Sequence, residues 1–419
     1  MKILLANYRY FVSSGPERYL FNISEILEKR GHTVIPFSIR YSKNQNSSYS
    51  KYFLDPIGTE DQVYFREHSN QLSTNFRAMK RLFFDPEVER RTTLLIEESQ
   101  PDVAYILKYL RKISPAILVA LKKKKIPIVV RLSDYEMACP GLHFLRDDKP
   151  CELCLKKSRW QSVIHKCVQN STFLSLMNFS ATQFHSLMGY FNLVDTFVVT
   201  NHFMKNKMIE AGIDESRLKI IPTYTKPVTH EYIKKEELII CYVGRLDRPK
   251  GVHILIEALN IIRQDHPDHL PVCYIAGEGT PEYTNLLKLS AEKYGLQDHV
   301  LFLGQISKSE INKLMQSSIC TIIPSLWYEN LPNSLLESYA NGTPVIAANI
   351  GSLPEFVMQN ETGLLFNPAD SKDLALKILS IMKFDRQKFS KNCISYTNKN
   401  SEELHVLQLE ELFLSLLTS

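Results

Sequence analysis

The chain has 419 residues, 44% of them hydrophobic and 23% charged, and carries a formal net charge of +5. That is an ordinary globular composition, long enough for two or three domains, and 20 Tyr and 21 Phe with little low complexity exclude general disorder. The mild positive charge permits an anionic partner without demanding nucleic acid.

The opening "MKILLANYRYF" is an apolar run broken by Asn7 and Arg9. It is too short for a secretory leader and reads as a first β-strand. "PERYLFNISEILEKRG" follows as an amphipathic helix closed by Gly31, then "HTVIPFSI" as a strand. The polar, aromatic stretch 41–58 predicts a long loop, either a specificity element or a mobile insertion. "PDVAYIL" and "IPIVVRL" are strands around a helix over 115–125, and "VDTFVVT" and "RLKIIPT" follow a long middle segment. Pro and charge over 224–237 predict a domain linker. A second series then begins: "LIICYVG", "PVCYIAGEG", "HVLFLG", "ICTIIPS", "PVIAA" and "GLLF", with a helix candidate between each pair. The last stretch, "SEELHVLQLEELFLSLL", predicts a largely buried helix packed back across the first domain.

This alternation predicts an α/β fold of two doubly wound, Rossmann-like domains with parallel sheets covered on both faces. The expected boundaries are 1–223, with a Cys-rich insertion at about 139–167, then 237–396, and a terminal helix over 397–419. No run reaches the roughly 20 apolar residues of a membrane span. The nearest, 173–199, is broken by Asn178, Gln183, His185, Asn192 and Asp195, so a cytoplasmic location is expected.

"YVGRLDRPKGVHILIEAL" reads as strand, loop and helix. Gly244 turns the chain at the strand end and Gly251 opens the helix. Arg245 and Lys250, with Arg248, stand beside a helix N-terminus that itself attracts anions. The arrangement suits a diphosphate, and it equally suits a solvated basic loop. It is neither a Walker-type P-loop nor a good dinucleotide fingerprint.

"YENLPNSLLESYANGTPVIA" places Glu329 before a helix and Glu337 about a turn inside it, with Pro332 at the expected first helical position. A carboxylate accepts two hydroxyl protons, so Glu337 is a candidate for a ribose diol and Glu329 for sugar hydroxyls or a charge developing at an anomeric carbon. By spacing alone, an exposed helix residue and an anion near a positive helix end explain the pair better.

R-x-x-x-x-K-G followed by "YENLPNSLLESYANGTPVIAANIGSLPE" resembles the retaining glycosyltransferases of family 4, with their Glu-x7-Glu motif. "VGRLDRPKG", "IAGEG", "LFLGQI" and "GLLFNPAD" extend the resemblance through the second domain. "SGPERYLFNISEILEKRGHTV", "PDVAYI" and "VDTFVVTNHFMKNKMIEAGI" carry it more loosely through the first. The resemblance implies a GT-B fold, its two domains facing each other across a cleft. It implies a donor nucleoside diphosphate sugar with the diphosphate on Arg245 and Lys250, after Gly244, and the ribose on Glu337. The sugar would meet Glu329 and the backbone of Asn330 and Leu331. The base would sit near Gln305 and Ile306, with Glu278 of "IAGEG" nearby, and Gly15 would approach from the first domain. The implied catalytic set is Glu329, Arg245, Lys250 and Asp134. The acceptor would be a saccharide or lipid-linked saccharide, as in bacterial surface polysaccharide synthesis. No D-x-D sequence occurs, so metal-independent transfer is expected.

Two departures stand out. Ser133-Asp134 replaces the His-Asp pair common in relatives, leaving Asp134 as a site residue or a capping residue. The first loop, Ser14-Gly15-Pro16, keeps one glycine.

Cys139, Cys151, Cys154 and Cys167 have the spacing of a zinc knuckle, with His165 as a possible substitute ligand; such a closed site would be structural. Unrelated thiols in an insertion are the alternative. The lysines of "LKKKK", with Lys108, Arg111 and Lys112, complement a helix end or touch anionic lipid at the inner face of a membrane. Two rival functions are a sugar-nucleotide epimerase of related fold and a zinc-containing nucleic-acid-binding protein, although no nucleic-acid partner is expected.

Overall fold

A computed structural model describes residues 1–13, 15–63, 72–226, 228 and 238–418. Ser14 and most of the expected linker at 224–237 lie outside the described residues.

The first domain is built on β1 (Lys2–Ala6), β2 (Thr33–Phe37), β3 (Val103–Ile106) and β4 (Ile128–Arg131). A small antiparallel hairpin follows, β5 (Leu145–Arg146) and β6 (Lys149–Pro150), and then β7 (Thr196–Val199) and β8 (Leu218–Ile220). Apart from the hairpin these strands form one parallel sheet, in the order β2-β1-β3-β4-β7-β8. β3, β4 and β7 are buried at every position, which is why they read as continuous apolar runs rather than alternating ones.

The second domain contributes β9 (Ile239–Val243), β10 (Val272–Ala276), β11 (Val300–Gly304), β12 (Cys320–Ile323), β13 (Val345–Ala348) and β14 (Gly363–Phe366). They too form a parallel sheet, ordered β11-β10-β9-β12-β13-β14. The strand order reverses between β1 and β3 in one sheet and between β9 and β12 in the other. Crevices open at the carboxyl ends of strands at such points, and ligands bind there in doubly wound sheets.

The two domains touch across these ends. Glu355 of the second domain accepts the backbone N–H of His202 at 2.8 Å and that of Phe203, capping the helix His202–Glu210 of the first. Asn201 and Thr200 hold Asn330, and Asp148 of the hairpin pairs with Arg248. The terminal helix Glu402–Leu417 buries Val406, Leu409 and Phe413 against the first sheet, beside Ile3, Leu5 and Tyr105. Its Glu410 pairs with Arg30 at 2.7 Å.

Three local expectations need correction. Pro332 is the cap, not the first helical residue: its ψ of 127° is extended, and the helix runs Asn333–Ala340. The 41–58 stretch is packed rather than loose, because it buries Tyr41, Phe53, Leu54 and Ile57 and holds a short 3-10 turn at Ser50–Tyr52. Two helices, Leu72–Phe83 and Pro86–Ser99, lie between β2 and β3 where the sequence reading placed none. Among the described residues no helix is long and apolar enough to cross a membrane.

Candidate active site

The loop after β9 is laced to its neighbours by glycines. A Cβ on Gly251, whose φ is +73°, would lie 1.8 Å from the carbonyl oxygen of Pro324 after β12. Leu326 N–H donates to the carbonyl of Pro249 at 2.8 Å, so the turn of Arg248–Lys250 is held directly against the loop that leads to Glu329. The "IAGEG" loop closes the other side: Leu246 N–H donates to the Glu278 carbonyl at 2.8 Å. Glu278 thus supports the loop through its backbone, and its side chain is exposed.

That packing brings Lys250 to Glu329. Nζ of Lys250 lies 2.7 Å from Oε1 of Glu329, and Ser325 Oγ donates to the same oxygen at 2.7 Å. Lys250 also sits 5.0 Å from the centre of the Trp327 ring, a cation–π contact. Burial pushes the Glu329 carboxyl up, but the Lys250 charge and these hydrogen bonds outweigh it and hold it below its ordinary value. Glu329 is therefore an ionised, paired carboxylate. Arg245, in contrast, is exposed and pairs with Asp247 at 2.9 Å.

Glu337 faces a cavity of about 460 Å³ between the domains, lined also by Gly15, Ile306 and Asn333. Lys308 pairs with Glu337 at 2.6 Å, and Arg18 of the first domain stands 3.9 Å away. Asn330 and Leu331 line an adjoining cavity of about 140 Å³ with Gly15 and Ser133. The helices Gly15–Lys29 and Asn333–Ala340 meet here end to end; a Cβ on Gly15 would stand 2.7 Å from Asn333 Nδ2. Two helix N-termini thus turn their N–H donors toward one gap. Gln305 is exposed and absent from this lining, so only Ile306 of the expected base contacts reaches the cavity.

Asp134 sits at the carboxyl end of β4 and pairs with Lys108 at 2.5 Å, while its other oxygen accepts Glu136 N–H at 3.0 Å. It is both an ion-pair partner and a capping residue. Burial raises its pKa, and Lys108 more than reverses this. Arg111 and Glu136 form a second pair beside it, at 2.5 Å.

His143 is a residue the sequence reading passed over. Its ring centroid lies 4.3 Å from that of Trp327, and Asp134, Lys108, Arg245 and Glu329 all act on its charge. The insertion therefore reaches the cleft beside the Lys250–Glu329 pair. Tyr328 donates to Glu152 at 2.9 Å and packs on Phe144 and Phe203. A cavity of about 650 Å³ opens there between Arg146, Lys149, Glu152, Lys156 and Tyr328. A histidine four residues after a cysteine drew no notice because the cysteines dominated the pattern.

The four cysteines are neighbours. Cys139, Cys167 and Cys151 all act electrostatically on Cys154, and the backbone N–H groups of Phe144, Gly141 and His143 point to the Cys139 sulfur. None is in a disulfide. Among the described residues, however, no three His, Cys, Asp or Glu side chains stand in a ready metal-binding arrangement. His165 turns Nε2 to Arg146, at 2.8 Å.

The basic run is partly ion-paired. Lys122, Lys123 and Lys124 pair with Asp195, Glu89 and Glu97, and Lys108 and Arg111 are taken by Asp134 and Glu136. Acid residues from neighbouring elements offset much of this charge, while Lys125 stays exposed.

Residues 229–400 match the family model of the glycosyl transferases, group 1. A glycogen synthase of Mycobacterium tuberculosis is 36% identical over 143 residues, which is 34% of this chain and 33% of that protein. The chain thus spans about a third of that relative. Over the whole chain the likeness is structural. A sucrose-phosphate synthase from Thermosynechococcus elongatus superposes with a TM-score of 0.70 at 18% identity, covering 100% of this chain and 99% of that one. HepE from Anabaena, in complex with UDP, gives a TM-score of 0.64 at 18% identity, covering 99% and 100%. The fold is GT-B.

Proposed function

We propose that the protein is a retaining glycosyltransferase of family 4, moving a sugar from a nucleoside diphosphate sugar to a saccharide or lipid-linked saccharide acceptor. The observation that carries this reading is the interdomain cavity walled by Glu337 beneath two facing helix N-termini. Match of the second domain to the family and the UDP bound in HepE support a nucleotide donor.

In this reading Glu337 accepts the ribose hydroxyls, and the two N-termini with Arg245 and Lys250 hold the diphosphate. The bond from the anomeric carbon to the β-phosphate oxygen breaks. The acceptor hydroxyl oxygen bonds to the same carbon from the same face, and its proton passes to the departing phosphate. Positive groups fixed at the leaving oxygens carry most of the rate. The cavity at Arg146, Lys149 and Glu152 is the proposed acceptor side. A role in surface polysaccharide synthesis belongs to the same proposal.

The test is a thermal-unfolding screen of nucleotide sugars, followed by transfer assays with the stabilising donor. Glu337→Ala and Arg245→Ala are expected to abolish the donor response. A response that survives both changes sinks the assigned pocket. Incubation with donor alone separates the epimerase rival, which would release an isomerised sugar nucleotide. The ion pairs of Lys122, Lys123 and Lys124 count against the nucleic-acid rival. A structural zinc on Cys139, Cys151, Cys154 and Cys167 is proposed from their shared neighbourhood. Metal analysis of the purified protein tests it, and a zinc content near zero would rule it out.

A further inference from the structure

Three helices of the first domain leave large apolar side chains in solvent. Thr172–Leu187 contains no charged residue, yet it exposes Phe173 at 64% and Leu187 at 85%. These two are fourteen residues apart, which returns to the same face of a helix about 21 Å along. The helices Leu72–Phe83 and Gln161–Ile164 both pack on it. The first exposes Phe76 and Met79, and the second, with its cap, exposes Trp160 and Ile164. Each pair follows helical spacing, so each marks one side of its helix. Surface helices ordinarily put charge on such faces.

The segments that carry these side chains hold basic residues and no acidic ones. Residues 153–194 contain no Asp or Glu, and neither does Leu72–Phe83. Lys80, Lys157 and Lys166 are exposed among the apolar side chains. Apolar side chains interspersed mainly with cations match an anionic bilayer surface. The rings and aliphatic chains enter the headgroup boundary, and each lysine adds electrostatic attraction to the anionic headgroups. A second copy of the chain is a poor occupant, because a two-fold contact would set the same cations against each other.

We propose that this face docks the protein on anionic membrane lipid. It is a different surface from the ion-paired lysines at 122–124. It continues into the insertion, whose Glu152 holds Tyr328 next to Glu329, so a docked molecule would present the cleft to the bilayer. That orientation rests on the proposed glycosyltransferase site, whereas the membrane contact does not.

Co-sedimentation of the full chain with vesicles tests it, using phosphatidylcholine alone and an equal mixture with phosphatidylglycerol. The mixed vesicles are expected to bind at least about tenfold more tightly. The double variant Phe173→Ser with Leu187→Ser should lose about tenfold in binding, as should Lys157→Glu with Lys166→Glu. Both should keep the wild-type unfolding temperature and nucleotide-sugar response, which separates this proposal from the reading of the site. No binding by the wild type, equal binding to both vesicles, or undiminished binding by the variants would each overturn it. So would a vesicle-free dimer that the same changes dissolve.

Discussion

Lys250 and Glu329 neutralise each other in the cleft: Nζ and Oε1 are 2.7 Å apart, and Glu329 is only 6% exposed. Both were candidates for direct contact with a ligand, and the pairing changes what a single substitution does. Lys250→Ala leaves a buried carboxylate unpaired, at a cost of about 3 kcal/mol. The double variant Lys250→Met with Glu329→Gln removes both charges and should recover most of that loss. Urea unfolding reads the stabilities, and the donor response should be absent from both proteins. A single variant as stable as the wild type would mean that the pair carries no structural role.

Gly251 sets the distance between the two loops that carry this pair. A side chain there meets both a left-handed backbone and the Pro324 carbonyl at 1.8 Å. Gly31 offers a control, since its φ is also positive, at +83°, but nothing lies within 4 Å of a Cβ built on it. Gly31→Ala should cost about 1 kcal/mol, the conformational term alone. Gly251→Ala should cost about 3 kcal/mol or more, because the loops must also part. Equal losses in denaturant unfolding would show that the loops separate freely.

The second domain was legible because its chemistry is local. Gly244, Arg245, Lys250 and Gly251 fall within one strand–loop–helix, and Glu329, Asn330, Leu331 and Glu337 within another. In the sheet β9 and β12 are neighbours, which juxtaposes the two segments. What the sequence hid is pairing at long range. Nothing near Lys123 announces Glu89, and nothing near Asp134 announces Lys108. Glu355 lies in the second-domain helix Leu353–Phe356, and its carboxylate caps a helix of the first, 153 residues earlier in the chain. His143 was hidden for the same reason, since its ring partner Trp327 belongs to the other domain.

That partner makes His143 a test of the insertion's role. The ring lies on Trp327, which also contacts Lys250, and it is absent from the lining of the cavity that holds Glu337. His143→Ala should therefore spare the nucleotide response and lower kcat/KM for transfer about tenfold, by loosening the side of the cleft where the sugar and acceptor are proposed to meet. Turnover equal to that of the wild type would reduce His143 to a packing contact.

The terminal helix supplies a pH test. His405 is buried, with Nδ1 2.7 Å from the Pro222 carbonyl and Nε2 2.8 Å from the Tyr19 hydroxyl. Nδ1 donates to the carbonyl, so a neutral ring accepts from Tyr19 at Nε2. Burial, then the Arg131 charge, pushes its pKa down to about 3. The groups facing it are Tyr19 and Tyr224 with Arg131, and no carboxylate lies among its named contacts. The sign follows from the unfolded chain, where a histidine binds its proton near pH 6.5. A depressed folded pKa leaves the stabilising contribution complete above pH 6.5 and removes it progressively as the pH falls toward 3. At pH 4 the loss relative to pH 7 should be about 3 kcal/mol. Because the helix Glu402–Leu417 holds the ring in place, it should detach from the first domain in that window. Amide exchange in residues 402–417 at pH 7 and pH 4 reads the detachment, and urea unfolding of His405→Gln should show a flatter pH dependence. Equal protection of the helix at both pH values, with the variant as acid-sensitive as the wild type, would remove His405 as the cause.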